Sequence, residues 1–367
     1  MEQKRALIIG GTALIGCYLA ADLLKLGHRV TVLSQSTRFA APEALDEEAM
    51  KEIELVFGDT TDSELLTGLL EKADIVFNKP LNQGLSGTLE NARSFIENKV
   101  SSATTMHEAL SQAKKKPDLL VLGSSISVYG EGAYSCLSCG TVRPSLRYKK
   151  PKDANNWNPT CPICDKALEG PLFSGENVER NGQSIYAVAK KAEEDLFSYA
   201  CQINEVPLAI LRYSTILGVG LSWHNLFTHF LDQLMAGENP SLHEDGQQTR
   251  DYIFVQDVVK ANALVLNNYR PGSNFYNVVS ERPTTILSVL KELAEIFAKK
   301  TGQPYALRPT IDGRFSPGDV RHCHSSAKRI KDELGFSCSV EQKQGFDQIV
   351  SWYFGKKNMT KLSVRGS

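Results

Sequence analysis

The 367-residue sequence has almost no net charge and no long apolar run. Its 41 basic and 42 acidic residues leave a formal charge of −1, whereas nonspecific nucleic-acid binders carry a basic excess to neutralise phosphates. No apolar run approaches the roughly 20 residues of a membrane span, and the first apolar strand begins too early to leave room for a signal peptide. These absences make nucleic-acid and membrane partners unexpected, and we expect a cytoplasmic globular protein.

Short apolar runs alternate with longer helical patterns over the first 130 residues, which indicates βαβ units. We therefore expect an α/β fold: a Rossmann-type doubly wound parallel sheet with a smaller α+β C-terminal domain. Residues 1–130 form the dinucleotide-binding core, and 131–180 break the rhythm as an insertion. Residues 181–220 return to the core, and 221–360 form mainly a cap with returning core elements.

A glycine-rich turn follows the first strand and opens a helix. Glycines with this spacing, GGxxxxG, allow a pyrophosphate to approach the backbone at a helix N-terminus. The predicted cofactor-binding residues of this turn are Gly10, Gly11, Thr12, Ala13, Leu14, Ile15 and Gly16.

The end of the second strand carries no acidic residue to hold a ribose 2′-hydroxyl. Ser34 stands there and Arg38 follows, so NADP is an alternative to NAD, and a solvated turn is the simpler interpretation. Asp59 and Thr60 end the third strand where the adenine edge is expected, although an acid at that position also suits a helix cap.

Tyr186 and Lys190 lie one turn apart in a helical stretch. An ammonium beside a phenol stabilises the phenolate, which makes a tyrosine usable as a base near neutral pH. Ser124, Ser125 and Ser127 follow a strand at the edge where ligands of open α/β sheets bind. We expect Ser125 to hydrogen-bond the reacting oxygen and Ser127 to contact a sugar, although either hydroxyl can instead satisfy the backbone.

The order GGxxxxG, SSxxVYG, YxxxK, TRD and PGD resembles the nucleotide-sugar epimerase/dehydratase family of extended short-chain dehydrogenases/reductases, and the likeness spans nearly the whole chain. The resemblance implies a dTDP- or UDP-linked sugar as substrate, a diphosphate contact from Arg250, a ribose contact from Asp319, and a homodimer. Asn98 fits the family's helix asparagine, so the resemblance implies that it contacts the cofactor. Departures occur at Asn78 and Lys79, which we expect beside the cofactor, and at Thr215, which we expect beside the substrate.

Four of the eight cysteines form two CxxC pairs within the insertion: Cys136, Cys139, Cys161 and Cys164. This spacing is typical of a zinc ribbon, in which four thiolates close the coordination shell and make the zinc structural. Redox dithiols or two disulfides are the alternatives. A ribbon at this point is similar to one in dTDP-L-rhamnose 4-epimerase-like members of the family.

The leading hypothesis is a nucleotide-sugar 4-epimerase that transfers a hydride to bound NAD and back through a 4-keto sugar. An NADP(H)-dependent reductase or dehydratase is the alternative, because Ser34 and Arg38 replace the acid. Another class is a non-catalytic nucleic-acid-binding or scaffold protein, because the insertion is rich in basic residues: Arg143, Arg147, Lys149, Lys150 and Lys152.

Overall fold

The computed structural model describes residues 2–79, 92–150, 156–221, 225–302 and 308–365, so Pro80 and Lys152 lie outside the described residues. The first half of the chain contains these elements in order: β1 Arg5–Ile9, α1 Leu14–Lys25, β2 Arg29–Ser34, α2 Glu47–Glu52, β3 Glu54–Phe57, α3 Ser63–Lys72, β4 Ile75–Asn78, α4 Ala92–Gln112, β5 Leu119–Ser125, β6 Ala133–Cys136, β7 Gly140–Val142 and β8 Gly170–Leu172.

The second half continues with α5 Ile185–Ile203, β9 Leu208–Tyr213, β10 Thr215–Leu217, α6 Leu226–Met235, β11 Ser241–Leu242, β12 Thr249–Arg250, β13 Tyr252–Phe254, α7 Val255–Asn268, β14 Ser273–Val278, β15 Thr284–Thr285, α8 Ile286–Thr301, β16 Thr310–Ile311, α9 Lys328–Leu334 and α10 Gln342–Arg365.

Seven parallel strands form the central sheet in the order β3-β2-β1-β4-β5-β9-β14. Helices cover both faces, as expected for parallel strands that are apolar on both sides. Apolar residues of α1, α7 and α9 pack on one face, and those of α3, α4 and α5 pack on the other. The predicted doubly wound α/β fold is confirmed.

The apolar run that follows α5 is divided into two strands, where the sequence suggests one. At the break, Ser214 donates its N–H to Val278 O and Thr215 donates to Asp251 O. The chain therefore leaves the central sheet after Tyr213, and β10 pairs with β13 instead. This bend sets Thr215 at the carboxyl edge of the sheet, facing the C-terminal part of the chain.

A separate apolar cluster holds the C-terminal part together, with α6, α8 and α10 packed around β10 and β13. The insertion has its own small sheet, in the order β7-β6-β8, and a small apolar cluster that includes the cysteines. Within the described part of the chain, no helix combines the length and the apolar character needed to cross a bilayer.

Candidate active site

The glycine-rich turn joins β1 to α1 in a conformation that only small residues allow. Gly10 has a positive φ of 73°, and a Cβ on Gly16 would lie 2.4 Å from the Gly11 backbone. No side chain caps the N-terminus of α1, where Ala13 is the N-cap residue. The first N–H groups of α1, beginning at Leu14 and Ile15, are thus available to an anion at the positive end of the helix.

The end of the site where the adenosine of a dinucleotide is expected lacks the acidic residue that typically holds the ribose of NAD. Ser34 is buried, and its hydroxyl lies 2.7 Å from the Thr12 hydroxyl. Arg38 is exposed. Asp59 is exposed too, and hydrogen bonds from Thr61 hold its pKa below the ordinary value. Thr60 lies beside it, partly buried. The structure thus directs the Ser34 hydroxyl inward and leaves Arg38 as the cationic side chain at this end.

Asn78 ends β4 close to the glycine-rich turn. Its side chain is 1% exposed, and neither its amide oxygen nor its amide nitrogen has a hydrogen-bond partner among the described residues. A buried amide without partners costs free energy, so a polar ligand is expected to supply them. Together with the uncapped helix and the close-packed glycines, this side chain makes the site fit a dinucleotide.

Tyr186 and Lys190 lie on α5, whose N-cap Ser184 accepts a hydrogen bond from Ala187 N–H. Lys190 is buried and donates to Gly123 O at 2.9 Å and to Glu193 Oε2 at 2.8 Å. Burial by itself would lower the pKa of Lys190, but the Glu193 carboxylate outweighs burial and the pKa is raised. The charged form of Lys190 is therefore favoured, one helical turn from the Tyr186 phenol.

The three predicted serines follow β5 at the same edge. Ser124 is buried and donates to Glu194 Oε1 at 2.5 Å. Ser125 accepts a hydrogen bond from Ser127 N–H at 3.2 Å, and its hydroxyl lines the cavity that holds Tyr186 and Lys190. Within the part of the chain that the structure describes, the Ser127 hydroxyl has no hydrogen-bond partner. Of the three, Ser125 and Ser127 thus remain able to contact a ligand.

Two further lysines lie buried near Lys190. Lys79 donates to the Tyr213 hydroxyl at 2.8 Å, and burial lowers its pKa far below the ordinary value. Lys99 Nζ lies 3.7 Å from Glu193 Oε1, and burial lowers its pKa to about 8. Lys190 and Lys99 therefore share the buried Glu193 carboxylate, whose charge also acts on the pKa of Lys79, a cluster that the sequence did not predict.

The structure does not bring Asn98 to the site. Its side chain is exposed, and the next residue of α4, Lys99, is the one that faces inward. Successive helical residues are rotated by about 100° from each other, so a shift of one position moves a side chain from the solvent to the interior.

The substrate-binding candidates line a cleft of two adjoining cavities of about 710 and 770 Å³. The first contains Tyr186, Lys190 and Ser125. Both cavities share Thr215, Arg250 and Asp319. The guanidinium of Arg250 donates to two backbone carbonyls and to the Asp319 carboxylate, at 2.9 to 3.4 Å, which orients it at the junction of the cavities.

The four cysteines of the insertion come together. Their sulfur atoms all lie within 4.8 Å of one another, and Cys136 Sγ is 3.7 Å from Cys164 Sγ. Tetrahedral zinc with Zn–S distances of about 2.3 Å separates its sulfur ligands by about 3.8 Å. Burial would raise the pKa of Cys161, but the N–H groups of Cys164 and Ile163 lower it to about 7. This donor set fits a structural zinc ion.

A model of the NAD dependent epimerase/dehydratase family matches residues 6–157 and 164–278. The chain belongs to this family. The resemblance inferred from the motifs is thereby confirmed, and the glycine-rich turn, the helix of Tyr186 and Arg250 all lie within the matched residues.

Relatives with known activities span the family's chemistry. A dTDP-L-rhamnose 4-epimerase of Burkholderia thailandensis is 26% identical over 96% of this chain and 95% of its own length. A dTDP-glucose 4,6-dehydratase of Haemophilus influenzae is 24% identical over 95% of this chain and 97% of its own length. A UDP-glucuronic acid 4-epimerase from Bacillus cereus, solved with UDP-glucuronic acid and NAD, has the same fold: its TM-score is 0.73 at 18% identity, covering 96% of this chain and 99% of that one.

Proposed function

We propose that the protein is a nucleotide-sugar 4-epimerase that uses NAD and acts on a dTDP- or UDP-linked hexose. One observation carries the proposal: Tyr186, Lys190 and Ser125 line a cavity that continues past Arg250 into a second cavity. A sugar in the first cavity and a nucleoside in the second would place the diphosphate at Arg250, whose planar guanidinium suits phosphate oxygens.

In this assignment the Lys190 ammonium stabilises the phenolate form of Tyr186, and that phenolate accepts the proton of the C4 hydroxyl and becomes a phenol. Ser125 donates a hydrogen bond to the C4 oxygen as it becomes a carbonyl. NAD, when bound, supplies the hydride acceptor and then the donor. Arg250 retains the nucleotide while the keto sugar turns, and Tyr186 returns the proton to the C4 oxygen once hydride has reached the other face.

The carboxylates of the cleft favour epimerisation over dehydration. Eliminating water from a 4-keto sugar requires an acid and a base near C5 and C6. Among the described residues that line the first cavity, the carboxylates are Asp251 and Asp319. Asp251 accepts three hydrogen bonds, from Ser280 and Arg282, and Asp319 accepts from Arg250. Both carboxylates are therefore engaged by hydrogen-bond donors of the protein itself.

We also assign structural zinc to the four cysteines and a cytoplasmic location, where thiols stay reduced.

A homodimer is supported by apolar side chains exposed on α4 and α5. Ile96 on α4 is 36% exposed, and Val188, Tyr199 and Ile203 on α5 are 43%, 57% and 59% exposed. A second copy packing on these helices would bury this surface, which light scattering of the purified protein tests.

The reaction is tested by incubating the purified protein with dTDP- and UDP-hexoses in D₂O and following the products by NMR. We expect an equilibrium mixture of C4 epimers with no deuterium at carbon and no net change in NADH. A 4-keto-6-deoxy sugar with deuterium at C5 would instead identify a dehydratase, and stoichiometric consumption of NADPH would identify a reductase.

The cofactor is tested separately by mass spectrometry of the nucleotide that heat releases from freshly purified protein. We expect stoichiometric NAD, because an epimerase regenerates its cofactor in every cycle. Release of NADP, or an empty protein that takes up NADPH from solution, contradicts the NAD assignment and favours the role of Arg38 in holding a 2′-phosphate.

A further inference from the structure

The insertion runs alongside the turn that carries Asp319. Gly318 donates its N–H to Arg147 O at 2.7 Å, and a Cβ on Gly318, whose φ is 80°, would lie 3.6 Å from the Tyr148 ring. Residues 315–319 line the first cavity from Ser316 onward. The backbone of the insertion therefore supports one wall of the candidate substrate site.

Side chains of the insertion also enclose the first residue of this turn. The Arg147 guanidinium lies 5.4 Å from the centre of the Phe315 ring, and the Trp157 ring lies 6.2 Å from the same ring. Phe315 is thus in contact with two residues of the insertion, and the backbone bond at Gly318 adds a third contact. Such stacking fixes the direction in which the turn leaves β16.

Arg147 is itself held by buried charges. Its side chain is 8% exposed, and Nη2 donates to Glu244 Oε1 at 2.9 Å. Nε lies 3.9 Å from Glu131 Oε1. Arg321, two residues beyond Asp319, donates to Glu244 and Asp245. Buried charges of this kind persist only when paired, so Arg147 belongs to an internal network and not to a basic surface.

The cysteine cluster connects to Arg147 from both sides. Cys136 and Cys139 precede Arg147 in the chain, and Cys161 and Cys164 follow Trp157. Arg147 Nη1 donates to Trp157 O at 3.1 Å, which ties the two arms together. A metal at the four sulfurs would close the insertion at its base and fix the arms that contact Phe315 and Gly318.

We propose that the metal-closed insertion is a wall of the nucleotide-sugar site, and that Arg147 is the positioning residue through which it sets turn 315–319 and hence the Asp319–Arg250 pair. This inference rests on the proposed function. It makes substrate affinity dependent on the insertion and leaves the chemistry at Tyr186 independent of it.

The first experiment measures binding of UDP and dTDP to the cofactor-loaded protein by calorimetry. The variants are Arg147→Lys, which keeps the charge, and Arg147→Met, which removes it. We expect nucleotide affinity to fall by up to about a hundredfold for Arg147→Met, the scale of a displaced binding group, and by less for Arg147→Lys. The KM should rise with kcat at saturation nearly unchanged, and dinucleotide binding should stay as in the parent protein.

Arg143→Met is the matched control. Arg143 belongs to the same arm, but its guanidinium donates to Glu179 O and not to the turn, so nucleotide affinity should not change. Arg147→Met removes one cationic partner of Glu131 and Glu244. Phe315→Leu therefore serves as a second variant that removes the stacked ring without altering charge, and it should weaken binding in the same direction. Parent-like affinity in folded Arg147→Lys and Phe315→Leu overturns the inference.

The second experiment removes the metal with a chelator and follows metal content and nucleotide binding together. We expect metal loss to weaken UDP and dTDP binding and stoichiometric zinc to restore it. Unchanged binding by folded, metal-free protein overturns the inference. If the parent protein binds neither nucleotide, the proposed function fails, whereas equal binding by parent and variants contradicts only the role of the insertion.

Discussion

Glu193 is a buried carboxylate that pairs with Lys190 and Lys99, and it raises the pKa of Lys190. The phenolate form of Tyr186 depends on the charge of Lys190, so Glu193 acts on the candidate base through Lys190. Two consecutive glutamates in an amphipathic helix ordinarily indicate a solvent-facing stripe. Here Glu193 and Glu194 are both fully buried, because Lys99 of α4 and Arg212 of β9 approach them from other elements, and Lys190 lies one turn away on the same helix.

Tyr186→Phe should lower kcat by about a hundredfold to ten-thousandfold, because the proton of the C4 hydroxyl loses its acceptor. Nucleotide and dinucleotide affinities should be retained, since the phenyl ring keeps its contact with Phe95, 5.7 Å away between centres. Tyr199→Phe on the same helix is the control and should keep full activity. Steady-state kinetics beside calorimetry checks this, and a variant with parent kcat would remove Tyr186 from the reaction.

Glu193→Gln should shift the alkaline limb of the kcat/KM profile to lower pH. The carboxylate raises the pKa of Lys190, so its removal lets burial lower that pKa and the ammonium deprotonates earlier. Removing one partner of a buried pair should also cost about 3–5 kcal/mol of unfolding free energy. Asp195→Asn, at an exposed ion pair with Arg180, should leave the profile in place. An unshifted profile for Glu193→Gln would show that Lys190 does not depend on this carboxylate.

At the scale of elements, the first strand, turn and helix are positioned by glycines that tolerate no Cβ. A Cβ on Gly11 would lie 2.8 Å from the Val32 side chain, and a Cβ on Gly16 would meet the backbone of Gly11. The spacing of these glycines predicted the turn correctly, because a helix can approach a turn this closely only where the residues at the contact are glycines.

Gly16→Ala should displace α1 from the turn, lowering dinucleotide affinity by more than about tenfold, the penalty of a misplaced binding group. It should also reduce the unfolding free energy by about 1–3 kcal/mol through overpacking. Gly68→Ala on α3 is the matched control: a Cβ there meets nothing within 4 Å, so it should raise stability by about 0.5–1 kcal/mol. Calorimetry and urea unfolding of both variants check the pair, and intact cofactor binding in Gly16→Ala would rule out the close approach.

At the scale of the whole molecule, buried polar and charged side chains join the insertion, the cap and the segment 321–324 that follows the PGD motif. Glu131 receives N–H groups from Arg321 and His322, and Thr249 lies within hydrogen-bond distance of both His322 and His324. These residues are far apart in sequence, so the network forms only when all three parts of the chain are folded together.

Stability should fall as the pH drops below about 6.5, because burial and Arg321 lower the pKa of His322 from 6.5 to about 3. Between these values the unfolded chain binds the proton that the folded chain excludes, so protonation favours unfolding. His322→Gln should make the loss shallower. Urea unfolding near neutral pH and near pH 5 measures the difference between the two proteins. This difference separates the effect of His322 on the pH dependence of stability from that of Glu131, whose raised pKa acts in the opposite direction. Equal slopes would exclude this histidine.

Local rules made the fold and much of the site predictable from sequence. The alternation of apolar runs predicted the parallel sheet, and the glycine spacing predicted the turn at α1. The helical spacing of Tyr186 and Lys190 predicted that the two side chains lie one turn apart. The two CxxC pairs likewise predicted a four-sulfur cluster. Each signal lies within a short stretch of chain, where geometry constrains the residue types directly.

The tertiary structure alone decided which charged side chains are buried and what they face. Lys99 and not Asn98 faces the interior because the packing of α4 against α5 sets which face of α4 is buried. Arg147 is buried and does not form part of a basic surface, because Glu244 and Phe315, which are distant in sequence, enclose it. The free energy of a charge depends on its surroundings in three dimensions. The partners of each buried charge come from separate segments of the chain, so composition and local spacing do not predict which residues pair.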